Sequence, residues 1–387
     1  MINYELTEHQ ERIKSEASEF ARTVIAPRAE EIDRTGSSKS VMDVWAAMAK
    51  EPYQYTGMHT PVEYGGYPRS LLDQVIIAEE LAAVGKSPVC SLLLEGLELI
   101  AITNHGTEEM KRKYIPPTVR GESKGSFALT EPGTGSDAAE LRCRAQRVGD
   151  EYIINGRKRY VSYAHEASYI YVYAVTDQSK GPRGISAFLV PTDIPGYKVL
   201  ERYECIGMRG HEDEEVQFNN CRIPKENLIG EEGKGFSYAL EVLDEGRTTL
   251  SAGFIGLARA CLDEAVVFAK GRVTFGKPLF HRQALSFPLA EIAAQIDAVR
   301  LLIYNAAWLH ERGKRHTIET AKAKTLAAKV MLDAANMAIE VLGGFGCTKR
   351  HVVERLYRDA RIWSFAQGAT QMMKFIITRD LFGKYEM

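Results

Sequence analysis

Apolar positions recur at two different periods along this chain, and the changes of period divide it into three. Up to about residue 122 the spacing is helical. Thr7-Glu8-His9-Gln10 forms a capping box, Thr at the N-cap and Gln at N3, and apolar residues follow at helical intervals through Phe20 and Val24. Residues 71–84 predict a second helix. Tyr64-Gly65-Gly66 and Pro116-Pro117 predict breaks. Between about 123 and 233 the period shortens to that of strands. Residues 152–154 run into Asn155-Gly156, a hairpin signal, and residues 168–175, 185–190 and 215–218 are β-branched and aromatic. These predict a small antiparallel sheet or barrel. From about Phe236 the helical stripes return over residues 236–270, 283–312, 317–341 and 352–382, with Gly343-Gly344-Phe345-Gly346 ending the third. Four long helices predict an antiparallel bundle. The predicted class is α+β, with an N-terminal helical domain (1–122), a central antiparallel β domain (123–233) and a C-terminal four-helix bundle (234–387).

Composition narrows the function classes. The 387 residues fit two or three domains, and 45% hydrophobic with 26% charged residues is an ordinary globular balance. A net charge of -2 argues against a general nucleic-acid or anionic-membrane binder. Six scattered cysteines, Cys90, Cys143, Cys205, Cys221, Cys261 and Cys347, form neither a CxxC pair nor a disulfide framework. The first ten residues lack the basic and apolar regions of a signal peptide, and Glu95 stops the apolar run Leu92-Leu93-Leu94. The expectation is a cytoplasmic protein with no membrane span.

Several chemistries lack their motifs. Gly230-Glu231-Glu232-Gly233-Lys234-Gly235 has the wrong spacing for a P-loop, and Gly133-Thr134-Gly135 lacks the third glycine of a dinucleotide fingerprint. There is no HExxH and no GxSxG, and the nine histidines do not cluster at ligand spacing, so no metal is expected. One segment stands out. In Phe127-Ala128-Leu129-Thr130-Glu131-Pro132-Gly133-Thr134-Gly135-Ser136-Asp137 a strand leads into a turn of small and hydroxylated residues. Such a turn lets backbone N–H groups approach a flat ring or a phosphate, although an Asx-type loop has the same composition.

Leu129 to Asp137 resembles the first signature of the acyl-CoA dehydrogenase family. Further landmarks of that family follow in order: Met208-Arg209-Gly210, Arg222-Ile223-Pro224, Asn227-Leu228-Ile229-Gly230, Glu232 to Phe236, Arg272 to Pro278, Gly343 to Gly346 and Tyr357-Arg358-Asp359-Ala360. The resemblance covers essentially the whole chain. It implies FAD, an acyl-CoA substrate, a homotetramer and an electron-transfer flavoprotein as electron acceptor. It places Phe127, Leu129, Thr130, Gly135 and Ser136 at the flavin, with Ser136 on a phosphate of FAD or CoA. Tyr160-Val161-Ser162 stands where the family has Trp-Ile-Thr, so Tyr160 takes the place of the indole and Ser162 keeps a hydroxyl for the flavin N5. Arg272, Thr274, Phe275, Gln283, Gly343, Gly344, Ala369 and Gln371 are implied around the FAD, those of the Arg272 loop at a neighbouring subunit's cofactor. Leu243, Asp244, Gly246, Arg247, Gly368 and Arg379 are implied at the CoA ester.

The implied reaction removes the α-proton of the thioester with a carboxylate and passes the β-hydrogen to the flavin as hydride. Here the sequence departs from the family. The usual base, a Glu just before a Gly, is Gln367 in Phe365-Ala366-Gln367-Gly368. Its amide cannot take the proton. The other family position falls on Gly246, and the adjacent Glu245 points about 100° away on a helix. A third option, resembling the branch that acts on cyclic acyl-CoAs, is an acid from the first domain, and Glu95 in Cys90-Ser91-Leu92-Leu93-Leu94-Glu95-Gly96-Leu97-Glu98 is that candidate. The resemblance implies that the segment from Ser91 to Ala101 lines the acyl pocket, where Leu92, Leu93, Leu94 and Leu97 suggest a short, branched or cyclic apolar acyl group and the lack of an Arg speaks against a dicarboxylyl one. Two alternatives stay open: other chemistry on the same ligands (enoyl-CoA reduction, decarboxylation or elimination), and a non-catalytic acyl-CoA-binding flavoprotein.

Overall fold

A computed structural model of the chain describes residues 5–84 and 96–383. Helix α1 (Glu8–Phe20) starts at the expected capping box: Thr7 Oγ1 accepts from the Gln10 N–H, and the Gln10 side chain accepts from the Thr7 N–H. Helices α2 (Ala29–Thr35), α3 (Ser38–Met48), α4 (Leu71–Ala82), α5 (Leu97–His105) and α6 (Glu108–Val119) complete the first region. Pro116 and Pro117 do not end α6 as expected. They lie in its last four residues.

The central region is a mixed sheet, where a purely antiparallel one was expected. Its strands are β1 (Gly125–Ala128), β2 (Arg144–Val148), β3 (Glu151–Ser162), β4 (Tyr169–Val175), β5 (Ile185–Pro191), β6 (Tyr197–Tyr203), β7 (Asp213–Pro224) and β8 (Leu228–Ile229). Their order is β6-β7-β3-β2-β4-β5-β8. Strand β1 joins β4 in parallel register, Gly125 opposite Tyr169, because the chain reaches the sheet from α6 and leaves it through the long turn at 129–143. The Asn155-Gly156 hairpin is not formed. Strand β3 runs through it with a bulge between Ile154 and Gly156, and the tight turn lies at Gly149-Asp150 instead. Packing explains the glycine: a Cβ at 156 would sit 2.7 Å from the Cys143 Cα.

The C-terminal region consists of α7 (Gly235–Gly271), the short hairpin β9 (Val273–Thr274) and β10 (Lys277–Pro278), α8 (Gln283–Glu311), α9 (Thr317–Leu342), α10 (Val353–Trp363) and α11 (Thr370–Gly383). The single helix expected over residues 352–382 is broken in two. Gln367 and Gly368 take positive φ values of 53° and 110°, which a helix cannot accommodate. By length and composition the stretch Thr317–Cys347 is apolar enough to cross a bilayer, contrary to the expectation from the sequence. In the fold its alanine-rich face packs into the bundle core, where Ala327, Ala328, Ala334, Ala335 and Ala338 are buried.

Candidate active site

The turn after β1 is held by a buried ion pair. The Glu131 carboxylate accepts from the Arg142 N–H at 2.7 Å, the Cys143 N–H at 3.0 Å and the Lys158 ammonium at 2.8 Å. Lys158 is fully buried and also donates to the Leu129 carbonyl at 3.0 Å. The Arg159 N–H donates to the Thr130 carbonyl at 2.8 Å, and Glu131 and Thr134 exchange backbone hydrogen bonds. The Glu131 carboxylate and the Leu129 and Thr130 carbonyls are thus occupied from beneath. Its outer side, Gly133 to Ser136, has open space around Gly133 and Gly135. Glu131 and Lys158 were not singled out in the sequence, although Lys158 occupies an inward position of a strand, where a lone cation needs a partner.

A second irregularity aims Tyr160. Strands β3 and β7 slip register between Lys158 and Val161, and Tyr160 takes φ 56°. Such a conformation is costly for a non-glycine residue and is held only by its surroundings. The Tyr160 ring lies 5.3 Å from that of Tyr203, with the Arg159 guanidinium over both. Glu215 holds this group, accepting from Arg159 at 3.0 Å and from the Tyr203 hydroxyl at 2.7 Å. Ser162 Oγ donates to Asp213 at 3.4 Å. The Val161 side chain, by contrast, is buried in the sheet core.

The third element is the corner between α10 and α11. The Gln367 side chain borders Gly246 on α7: a Cβ built on Gly246 would lie 2.8 Å from Gln367 Oε1 and 2.4 Å from Leu97 Cδ2. Arg247 Nε donates to the Gln367 carbonyl at 3.0 Å, and Lys324 Nζ on α9 donates to the Gly368 carbonyl. Arg247 also pairs with Asp244 at 3.3 Å, and Asp244 accepts from the Thr317 hydroxyl at 2.6 Å. Burial, together with the nearby Arg247, pushes Lys324 down to about 7. Glu245 borders no part of the cavity. Burial and the neighbouring Glu241 and Asp244 push it up to about 7.

These elements enclose one cavity of about 1480 Å³. It brings together Phe127, Leu129, Thr130, Gly135, Ser136, Tyr160 and Ser162 on the sheet side. On the helical side it takes in Leu243, Asp244, Arg247, Gln367, Gly368, Ala369 and Arg379. Arg272, Thr274, Phe275, Gln283, Gly343, Gly344 and Gln371 lie outside it. Phe275 is 96% exposed at the tip of the β9–β10 hairpin, where Phe275 and Gly276 take φ 49° and 75°. Glu95 lies outside the described residues, as do Leu92, Leu93 and Leu94. Among the described acids that line the cavity, Glu98, in the first turn of α5, is the buried one, 1% exposed. Asp137 is exposed, and Asp213, Asp244, Glu319 and Asp380 are half-buried.

A histidine cluster that spacing did not reveal lies on the sheet. His165 Nδ1 and Nε2 stand 2.9 Å from Glu214 and from Glu212, which also holds Arg202 at 2.7 Å. The three side chains His165, Glu212 and Glu214 are close enough to share a cation. The imidazolium and the guanidinium already neutralise the two carboxylates.

Comparison with known proteins identifies the scaffold. Residues 7–122, 126–221 and 233–382 match the acyl-CoA dehydrogenase N-terminal, middle and C-terminal domains. The chain belongs to the acyl-CoA dehydrogenase family. It is 36% identical to a probable acyl-CoA dehydrogenase of Bacillus subtilis (strain 168) over 382 residues, covering 98% of this chain and 100% of that one. It is also 36% identical over 383 residues to the CarC subunit of the caffeyl-CoA reductase-Etf complex of Acetobacterium woodii, covering 98% and 99%. The solved butyryl-CoA dehydrogenase of Megasphaera elsdenii superposes with a TM-score of 0.92 at 33% identity, covering 98% of this chain and 100% of that one. As a member of this family the protein is an oxidoreductase acting on CH-CH bonds.

Proposed function

We propose that this acyl-CoA dehydrogenase binds FAD and a short, branched or cyclic acyl-CoA in the shared cavity and introduces an α,β double bond, with a first-domain carboxylate in place of Gln367 as proton acceptor. The observation that carries this reading is the contact between Gln367 and Gly246. Both family positions for the base meet at one point of the cavity, and neither carries an acid.

The residues present fit the cofactor. The open turn at Gly133 to Ser136 can receive a phosphate or ring edge on backbone N–H groups, while Thr130 and Ser162 offer hydroxyls and Tyr160 an aromatic face. A related solved structure, 26% identical with a TM-score of 0.94, is an FAD complex. FAD, when bound, supplies the hydride acceptor. The chain's own part is to hold the thioester against it, exclude water and take the α-proton. Of the described acids, Glu98 suits that last role, because its buried carboxylate lies in the cavity wall beside Leu97, which touches the Gly246 position.

The bundle surface fits assembly into a homotetramer. Phe275, Phe287 and Phe382 are 96%, 57% and 70% exposed, and an obligate interface would cover such side chains. The Arg272 to Phe275 loop would then meet a neighbouring subunit's FAD. An electron-transfer flavoprotein is the partner that fits as electron acceptor, since the Acetobacterium woodii relative is a subunit of an Etf complex. A second reading, enoyl-CoA reduction, uses the same residues in reverse. It is favoured by a 35% identical relative from Anaerotignum propionicum named acryloyl-CoA reductase (NADH).

Anaerobic mixing of the FAD-loaded protein with a panel of acyl-CoA esters tests this reading. Bleaching of the flavin with formation of the 2-enoyl-CoA is the expected result. No bleaching by any ester, with reoxidation of reduced flavin by enoyl-CoA, would establish the reductive reading in its place.

A further inference from the structure

The corner at Gln367 and Gly368 is unusual in what lies behind it. Two consecutive carbonyls, both on residues with positive φ, accept from two basic side chains, Arg247 and Lys324. Arg247 has a counter-charge in Asp244. Lys324 is different. It is fully buried on α9, the like-charged Arg247 acts on it, and among the described residues no carboxylate lies within ion-pair distance of its ammonium. A cation without a counter-charge is an expensive thing to place in a helical core. A Met or Leu would fill the same space among the alanines of α9 without that cost. Among the described residues the one polar contact Lys324 makes is to the Gly368 carbonyl, so the cost is met at the corner.

We propose that Lys324 is a positioning residue. With Arg247 it forms a two-donor clamp on the 367–368 corner, and so fixes where the Gln367 side chain and the Gly368 backbone stand against the reacting end of the acyl thioester. This rests on the dehydrogenase reading of the cavity. The physical reason is the strain of the corner. Left-handed φ at a glutamine persists only where the surroundings over-determine it. The two donors are the described contacts that hold these carbonyls. Lys324 itself does not line the cavity, so its effect passes through the backbone.

The test uses the FAD-loaded enzyme and two variants. Lys324→Met removes donor and charge, and Lys324→Gln keeps an N–H donor without the charge. In Lys324→Met the limiting rate of flavin bleaching at saturating acyl-CoA should fall by about tenfold or more, because a misplaced reacting geometry costs rate rather than binding. The Kd of the ester should change by less than about threefold, FAD should remain stoichiometric, and the melting temperature should be unchanged or higher. Lys324→Gln should recover part of the rate. A second readout needs no turnover: a 3-ketoacyl-CoA, which has an acidic α-proton but cannot reduce the flavin, should perturb the flavin spectrum differently in Lys324→Met and wild type. A Lys324→Met enzyme with wild-type rate and spectrum overturns the proposal, as does a rate loss that only tracks loss of FAD or of folded protein. If wild-type flavin is bleached by no ester yet the 3-ketoacyl-CoA spectra differ, the dehydrogenase reading fails while the clamp stands.

Discussion

The Gln367 carboxamide lies against the α-carbon of Gly246, so close that a methyl group on the glycine would stand 2.8 Å from Gln367 Oε1. A side chain at position 246 would therefore displace the Gln367 carboxamide from where it stands. Leu97 reaches the same point from the first domain, 2.4 Å from that methyl position.

Replacing Gln367→Glu should put a carboxylate at this point without changing volume. The Arg247 guanidinium behind the corner would help keep it ionised. Flavin bleaching by straight-chain acyl-CoA esters should appear or rise, by about 10²-fold. Stopped-flow absorbance with butyryl-CoA measures it directly. An unchanged rate would mean that the proton acceptor does not limit the reaction.

Glu98→Gln is isosteric and keeps the buried side chain in place. The limiting rate of flavin reduction should drop by about 10² to 10⁴, with FAD and ester affinity retained. The parallel variant Glu95→Gln separates the two first-domain acids. If Glu95→Gln alone abolishes bleaching, the proton acceptor is Glu95 and Glu98 is removed from that role.

The Lys158–Glu131 pair should dominate the stability of the β1 turn. Lys158→Met leaves a buried carboxylate without its cation, a change that costs about 3–5 kcal/mol. Urea unfolding should show that loss, and FAD should dissociate more readily because Leu129 and Thr130 lose their support. The double variant Lys158→Met with Glu131→Gln should recover much of the stability. A single variant as stable as wild type would show that the turn is held by its backbone bonds alone.

His165 links stability to alkaline pH. Hydrogen bonds to Glu212 and then Glu214, opposed by partial burial, raise it to about 9 from 6.5. Its folded-state value lies above the unfolded one, so the stabilisation is complete below pH 6.5 and is lost as pH rises through 9. The difference in melting temperature between wild type and His165→Gln should be largest near pH 6 and vanish by about pH 10. A difference that stays constant across that range would exclude the charged cluster as its source.

Much of this protein was legible in the chain because its signals are local. The helical and strand periods follow from which face each element buries, so the three regions, the Thr7 capping box and the glycine-rich turn could be read from neighbours in sequence. The motifs that resemble the family carried the sheet side of the cavity for the same reason: Phe127, Leu129, Thr130, Gly135 and Ser136 belong to one contiguous strand and turn that lines it. What failed or was missed depends on partners distant in the chain. Gly156 reads as a hairpin residue until Cys143 is seen packed on it, and residues 352–382 read as one helix until the corner at Gln367 is seen held by Arg247 and Lys324. Lys158 and Lys324 look like ordinary lysines in sequence. Burial makes each of them consequential, and burial is decided by the whole fold, because a charge taken from water must find its partner wherever the tertiary structure provides one.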